Sequence, residues 1–251
     1  MKKKKTLFFC SLTLVLWGLG AMGGAQEPSS TIDPEADGIL RQMSDYLNTL
    51  EQFTVQTENT VDILFLSGQK IQYDRVVHVS VRRPNRLHAT IDGDRLDQEF
   101  FYNGSSITLF TKNPNVYASI KAPSSVEEAL ESAETSVGLV APFSDLICRN
   151  SYDILMKDVW AGFYIGLGKV NGVECHHLAF RGSETDWQVW IEKGDKPLPR
   201  KFIITSKWVT GAPQFTGLMR KWDLSPKLDE SLFTFVPPKG AAKIEFLPSE
   251  D

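Results

Sequence analysis

From Phe53 to Phe65 the chain alternates with a period of two, Phe53, Val55, Thr57, Asn59, Val61, Ile63 and Phe65 sharing one phase, as expected for a strand with one face turned inward. Ser67-Gly68-Gln69 turns the chain into a second run, Ile71 to Val81. Short, turn-bounded segments follow at 86–91, 97–102, 107–110 and 116–120, with Asn103-Gly104 the strongest hairpin signal of the chain. Further runs lie at 163–170, 173–180, 187–191, 202–208 and 214–224, with turns at Asn171-Gly172, Lys193 to Pro197 and Gly211-Ala212-Pro213. An extended, proline-bounded tail leads from Phe233 toward Phe246.

Two regions break this rhythm. Ile39, Leu40, Met43, Tyr46, Leu47 and Leu50 recur at intervals of three and four, predicting a helix over 38–50 with Asp33-Pro34-Glu35 as its cap and first turn. Between 124 and 158, Ser124 or Ser125 can cap a helix over 126–137, and shorter helical patterns follow near 142–147 and 152–159. The pattern predicts a mainly β (α+β) fold, an antiparallel sheet of about ten or eleven strands curved into a half-open barrel. An N-terminal helix and a helical lid or plug cover its inner face. No strand-helix-strand rhythm suggests a doubly wound nucleotide fold.

The first 25 residues change the compartment. Lys2 to Lys5, an apolar run from Leu7 to Met22 and the small residues Gly23-Gly24-Ala25 have the layout of a secretory signal peptide. The apolar core of about 15 residues is short of the roughly 20 that a membrane span needs, so the mature chain is expected to be exported and soluble, without a stable transmembrane anchor. Residues 26–251 then form one domain. Processing removes four of the 27 Lys and Arg but none of the 31 Asp and Glu, leaving 23 against 31, a formal charge of −8. That balance argues against nucleic acid as a partner and gives no sign of attachment to anionic lipid surfaces. The two remaining cysteines, Cys148 and Cys175, could form a disulfide in an oxidising compartment or serve as buried apolar side chains.

Catalytic signals are weak. In Cys175-His176-His177, strand geometry sends neighbours to opposite faces, and a metal would need further ligands from elsewhere. Asp186, Glu192 and Asp195 read as solvated turn carboxylates, and Gly166 and Gly168 precede no long helix. No phosphate cradle, serine elbow or zinc-protease motif is present, so neither enzyme activity nor a metal or other cofactor is expected. The aromatic residues are more informative. Phe53, Val55, Val61, Ile63 and Phe65, with Trp160, Trp187 and Trp190, are the candidate lining of a cavity for an acyl chain, although the same residues would serve an ordinary core. Arginines near the mouth would suit a head group, but the pattern singles none out.

The segments 173–180, Asp186-Trp187-Gln188-Val189-Trp190-Ile191-Glu192 and Pro197-Leu198-Pro199-Arg200-Lys201 resemble a family of predicted periplasmic proteins, DUF2092. So do Gly211-Ala212-Pro213-Gln214-Phe215 and Phe233-Thr234-Phe235 with Pro237-Pro238. That family is similar in turn to the LolA/LolB-like superfamily, whose members hold lipid or lipoproteins in a half-closed barrel with a helical lid. The resemblance implies a LolA-like fold, a periplasmic location and a lid within 124–158. With the export signal and the aromatic content, it implies a binding or carrier protein for a hydrophobic ligand, a lipid or lipidated protein. The alternative is an envelope scaffold or protein-interaction module whose cavity is filled by its own side chains.

Overall fold

A computed structural model describes residues 31–139, 141 and 143–246; the expected signal peptide lies outside them. One sheet dominates. Its strands are β1 (Thr31–Ile32), β2 (Gln52–Leu64), β3 (Lys70–Arg82), β4 (Arg86–Gly93), β5 (Asp97–Tyr102), β6 (Ser106–Thr111), β7 (Val116–Lys121), β8 (Val159–Val170), β9 (Val173–Gly182), β10 (Thr185–Glu192), β11 (Pro199–Ser206), β12 (Gln214–Asp223) and β13 (Ala242–Lys243). Their spatial order is β1-β8-β9-β10-β11-β12-β2-β3-β4-β5-β6-β7-β13. Two antiparallel meanders, β2–β7 and β8–β12, are thus joined side by side through the β12–β2 pair. The two-residue strands β1 and β13 add parallel to the outer edges, and they account for the excess over the eleven runs read from alternation. The sheet stays open.

Curvature has local causes. The β8–β9 ladder shifts register between Tyr164 and Gly166, where Gly166 takes a φ of 129°. The β12–β2 ladder shifts between Arg220 and Asp223. An inserted residue bends the strand that carries it and deepens its twist.

The inner face is covered by α1 (Pro34–Asn48), α2 (Val126–Val137), α3 (Ser144–Ile147) and α4 (Ser151–Met156). Helix α1 begins at Asp33, whose side chain accepts from the Glu35 amide at 2.9 Å, with Pro34 in the first turn. The cap and first turn fall where Asp33-Pro34-Glu35 indicated, and Ala36 extends the buried stripe N-terminally from Leu40. Helix α2 begins with a reciprocal cap: the Glu128 amide donates to Ser125 Oγ, and Ser125 Oγ donates to the Glu128 carboxylate. It ends on Gly138 in the left-handed region. Strand β8 starts at Val159, four residues before the run at 163, so Trp160 lies in a strand.

The core divides in two. Under α1, Leu40, Met43 and Leu47 pack on Phe180, Trp187 and Phe202. Under α2, Val126, Ala129 and Ala133 pack on Phe53, Val81 and Tyr102. Trp222 and Leu224 touch both.

Candidate functional site

Between the first meander and its helical cover lies a cavity of about 210 Å³. Strands β2 to β6 supply Val55, Val77, Leu87, Ile91 and Leu109, and the cover supplies Leu130, Leu139, Phe143 and Ile147. An adjoining groove of about 220 Å³, lined by Val61, Ile63 and Tyr73, shares Arg75 and Leu96 with it. Apolar pockets near 150 Å³ stay dry and take small hydrophobic guests.

A polar row crosses this apolar surface. Strand pairing places Gly217, Asn59, Arg75 and Gly93 side by side on β12, β2, β3 and β4. A Cβ on Gly93 would lie 2.5 Å from Arg75 Cβ. A Cβ on Gly217 would lie 2.0 Å from Phe143 Cε2 and 3.0 Å from Asn59 Oδ1. The two glycines therefore make room for the side chains between and above them. Phe143, held at a φ of 71°, meets Phe202 and Phe215 edge-on at centroid distances of 5.1 and 4.6 Å. It stands between the filled core and the cavity.

Arg75 is the unusual member of the row. Its guanidinium lies 5.1 Å from the centre of the Phe215 ring. Its buried Nε has no hydrogen-bond partner, and neither has the buried Asn59 Oδ1. Burial holds the guanidinium below its ordinary value, but an arginine remains charged. Arg83, which is more deeply buried, pairs with Glu127 and donates to the Leu50 carbonyl, both at 3.1 Å. The carboxylates of the groove are engaged elsewhere: Asp74 accepts from the Thr60 hydroxyl and Asp94 from the Asp74 amide.

Of the eight residues expected to line a cavity, Val55 lines it, and Val61 and Ile63 line the groove. Phe53 is fully buried in the core, 5.6 Å from the Trp222 ring. Phe65 follows the end of β2 and is exposed. Trp160 caps an edge, donating to the Gly182 carbonyl with Arg181 and Lys207 over its ring. Trp187 is stacked between Phe180 and Phe202. Trp190 is three residues away and falls on the outer face, where it stacks on His177 at 4.0 Å. Alternation finds the inner phase but cannot tell a filled stretch from an empty one. Arg75 and Asn59 did carry a signal, as strongly polar residues in inner phases that are otherwise mostly apolar.

The other candidate chemistry resolves into packing. His176 Nδ1 meets Tyr164 Oη at 3.1 Å, and His177 Nε2 meets Gln188 Oε1 at 3.0 Å. Cys148 and Cys175 are both free and buried. The disulfide considered for them is not formed: their thiols contact the carbonyls of Ser144 and Val173 respectively, on separate elements. Among the described residues, no group of three or more His, Cys, Asp or Glu side chains is placed to hold a metal. No described helix is long and apolar enough to cross a membrane.

The model of a family described as "Predicted periplasmic protein (DUF2092)" matches residues 36–247. The chain belongs to this family. No curated protein matches it. Solved structures similar to this DUF2092 chain include an uncharacterized conserved protein from Thermus thermophilus, at 9% identity and a TM-score of 0.50, covering 84% of this chain and 99% of the other. The Mycobacterium tuberculosis lipoprotein LppX aligns at 15% identity and a TM-score of 0.46, covering 78% and 100%. A LolA superfamily protein from Nitrosomonas europaea aligns at 13% identity and 0.38, covering 80% and 97%. The likeness to the Thermus protein is one of fold.

Proposed function

We propose that this DUF2092 protein is a periplasmic binding or carrier protein for a hydrophobic ligand, a lipid or the acyl chain of a lipidated protein, held between β2–β6 and the α2–α3 cover. The observation that carries the reading is the apolar cavity of about 210 Å³, which persists beside a core already closed around Trp187. Each methylene moved from water onto such a surface contributes about 0.8 kcal/mol, so a chain of modest length is bound without any covalent step. Loading and release would require the cover around Phe143 to lift. The scaffold alternative describes the half under α1, whose interior is filled by its own side chains; the space under α2 favours a ligand.

Native mass spectrometry of the mature protein, purified from the periplasm without detergent, tests this. A discrete amphiphile at near-stoichiometric occupancy, recovered by denaturing extraction, is the expected result. An empty protein that also binds no added hydrophobic probe would overturn the proposal.

A further inference from the structure

We propose that Arg75, with Asn59 beside it, is a head-group site, and that the ligand is a single-chain amphiphile with an anionic head, a carboxylate or phosphate. This rests on the cavity being a binding site for an apolar chain. Three observations carry it. Arg75 sits on the seam shared by the cavity and the outer groove, so a chain inside among Val77, Ile91 and Leu109 would leave its head at the guanidinium. Among the described residues the Arg75 guanidinium has neither an ion pair nor a hydrogen bond, although its Nε is shielded from solvent. A half-buried cation left unpaired is costly, whereas one paired at the edge of a low-dielectric site interacts more strongly than in water. Lastly, the Asn59 amide lies directly across the ladder from Arg75 with its buried oxygen unpartnered. Turned about its last torsion, that amide presents an N–H to the same anion.

Glycine at 93 fits the same purpose. The next strand comes against Arg75 with no side chain in the way, and any Cβ there would strike Arg75 Cβ and the Asp74 carbonyl.

The test displaces the neutral probe N-phenyl-1-naphthylamine from the delipidated full mature chain. The competitors are hexadecanoate, hexadecyl phosphate and hexadecanol, with acetate and inorganic phosphate as anions without a chain. In the unmodified protein, the two anionic amphiphiles are expected to compete about tenfold or more better than hexadecanol, since charge-assisted bonds are roughly twice as strong as neutral ones. Arg75→Met is expected to remove that preference and leave hexadecanol unchanged. Arg75→Lys, which keeps the charge but loses the planar fork, is expected to retain part of it.

Equal competition by hexadecanoate and hexadecanol in the unmodified protein would overturn the head-group site while leaving the cavity reading intact. A preference that survives in Arg75→Met would do the same. Competition by acetate or phosphate alone at similar concentrations would mean a free-anion site and also overturn the proposal. If none of the three long-chain compounds displaces the probe, both readings fall.

Discussion

The sheet half under α1 and the half under α2 are built from strands of similar length, yet they are closed in different ways. Over β8–β12, α1 lowers Leu40, Met43 and Leu47 onto Phe180, Trp187 and Phe202, all of them buried. Over β2–β6, the buried face of α2 consists of Val126, Ala129 and Ala133. These pack on Phe53, Val81 and Tyr102, and the cavity remains beside that patch, under Leu130, Leu139, Phe143 and Ile147. The difference teaches that the hollow is set by where the covering elements meet the sheet, since the strands beneath both helices alternate alike.

The largest effect is expected in the filled half. Trp187→Ala would remove a ring stacked on both Phe180 and Phe202 and should destabilise the protein by about 3–5 kcal/mol in chemical denaturation. A loss below about 1 kcal/mol would mean that this half is not close-packed.

Enlarging a side chain sharpens the contrast. Val189→Phe, at a fully buried position, should cost about 1–3 kcal/mol by overpacking. Val77→Phe, on the cavity wall, should cost less than about 1 kcal/mol while blocking displacement of a hydrophobic probe. Equal costs at the two sites would mean that the cavity is already filled in solution.

Gly217→Ala acts on the boundary between the halves. Its new methyl would occupy the place of the Phe143 ring, so the ring must move. The expected cost is about 1–2 kcal/mol, accompanied by faster exchange of a bound probe as the partition shifts. A stable variant with unchanged exchange would remove Phe143 from its position as the partition.

Much of the architecture was legible in alternation because a half-buried sheet imposes a period of two on nearly every strand. The central strands β2 and β3 show it plainly, and the turn residues delimit the meanders. The hollow was harder to read. The mutual position of Asn59 and Arg75 depends on strand register, which a single strand's pattern does not encode. Trp187 and Trp190 could not both face one interior, since a spacing of three puts them on opposite faces. Trp160 stands before the alternation at 163–170 begins, because β8 starts within three residues of the short α4. The emptiness itself depends on where Leu130, Leu139, Phe143 and Ile147 come to rest over the sheet, and in a sequence these look like any other apolar residues.

The smallest expected effect is a pH response of the cover over the hollow half. Asp145 lies in α3, next to the cavity-lining Ser144 and Leu146. Burial, reinforced by the negative charge of Glu134, raises its carboxyl above the ordinary 3.8. The folded chain therefore holds this proton to a higher pH than the unfolded chain does. Its contribution to stability is complete below the unfolded value and is lost as pH rises through the folded one. Hydrogen exchange of the α3 amides, compared between the unmodified protein and Asp145→Asn, isolates this group from the other carboxylates. The unmodified cover should lose protection as pH rises through the carboxylate range, after correction for the intrinsic exchange rate, and the variant should lose less. The α1 amides over the filled half should respond alike in both proteins. A matching response of α1 to Asp145→Asn would mean that the two covers open together, and the division between a rigid half and a ligand-gating half would then fail.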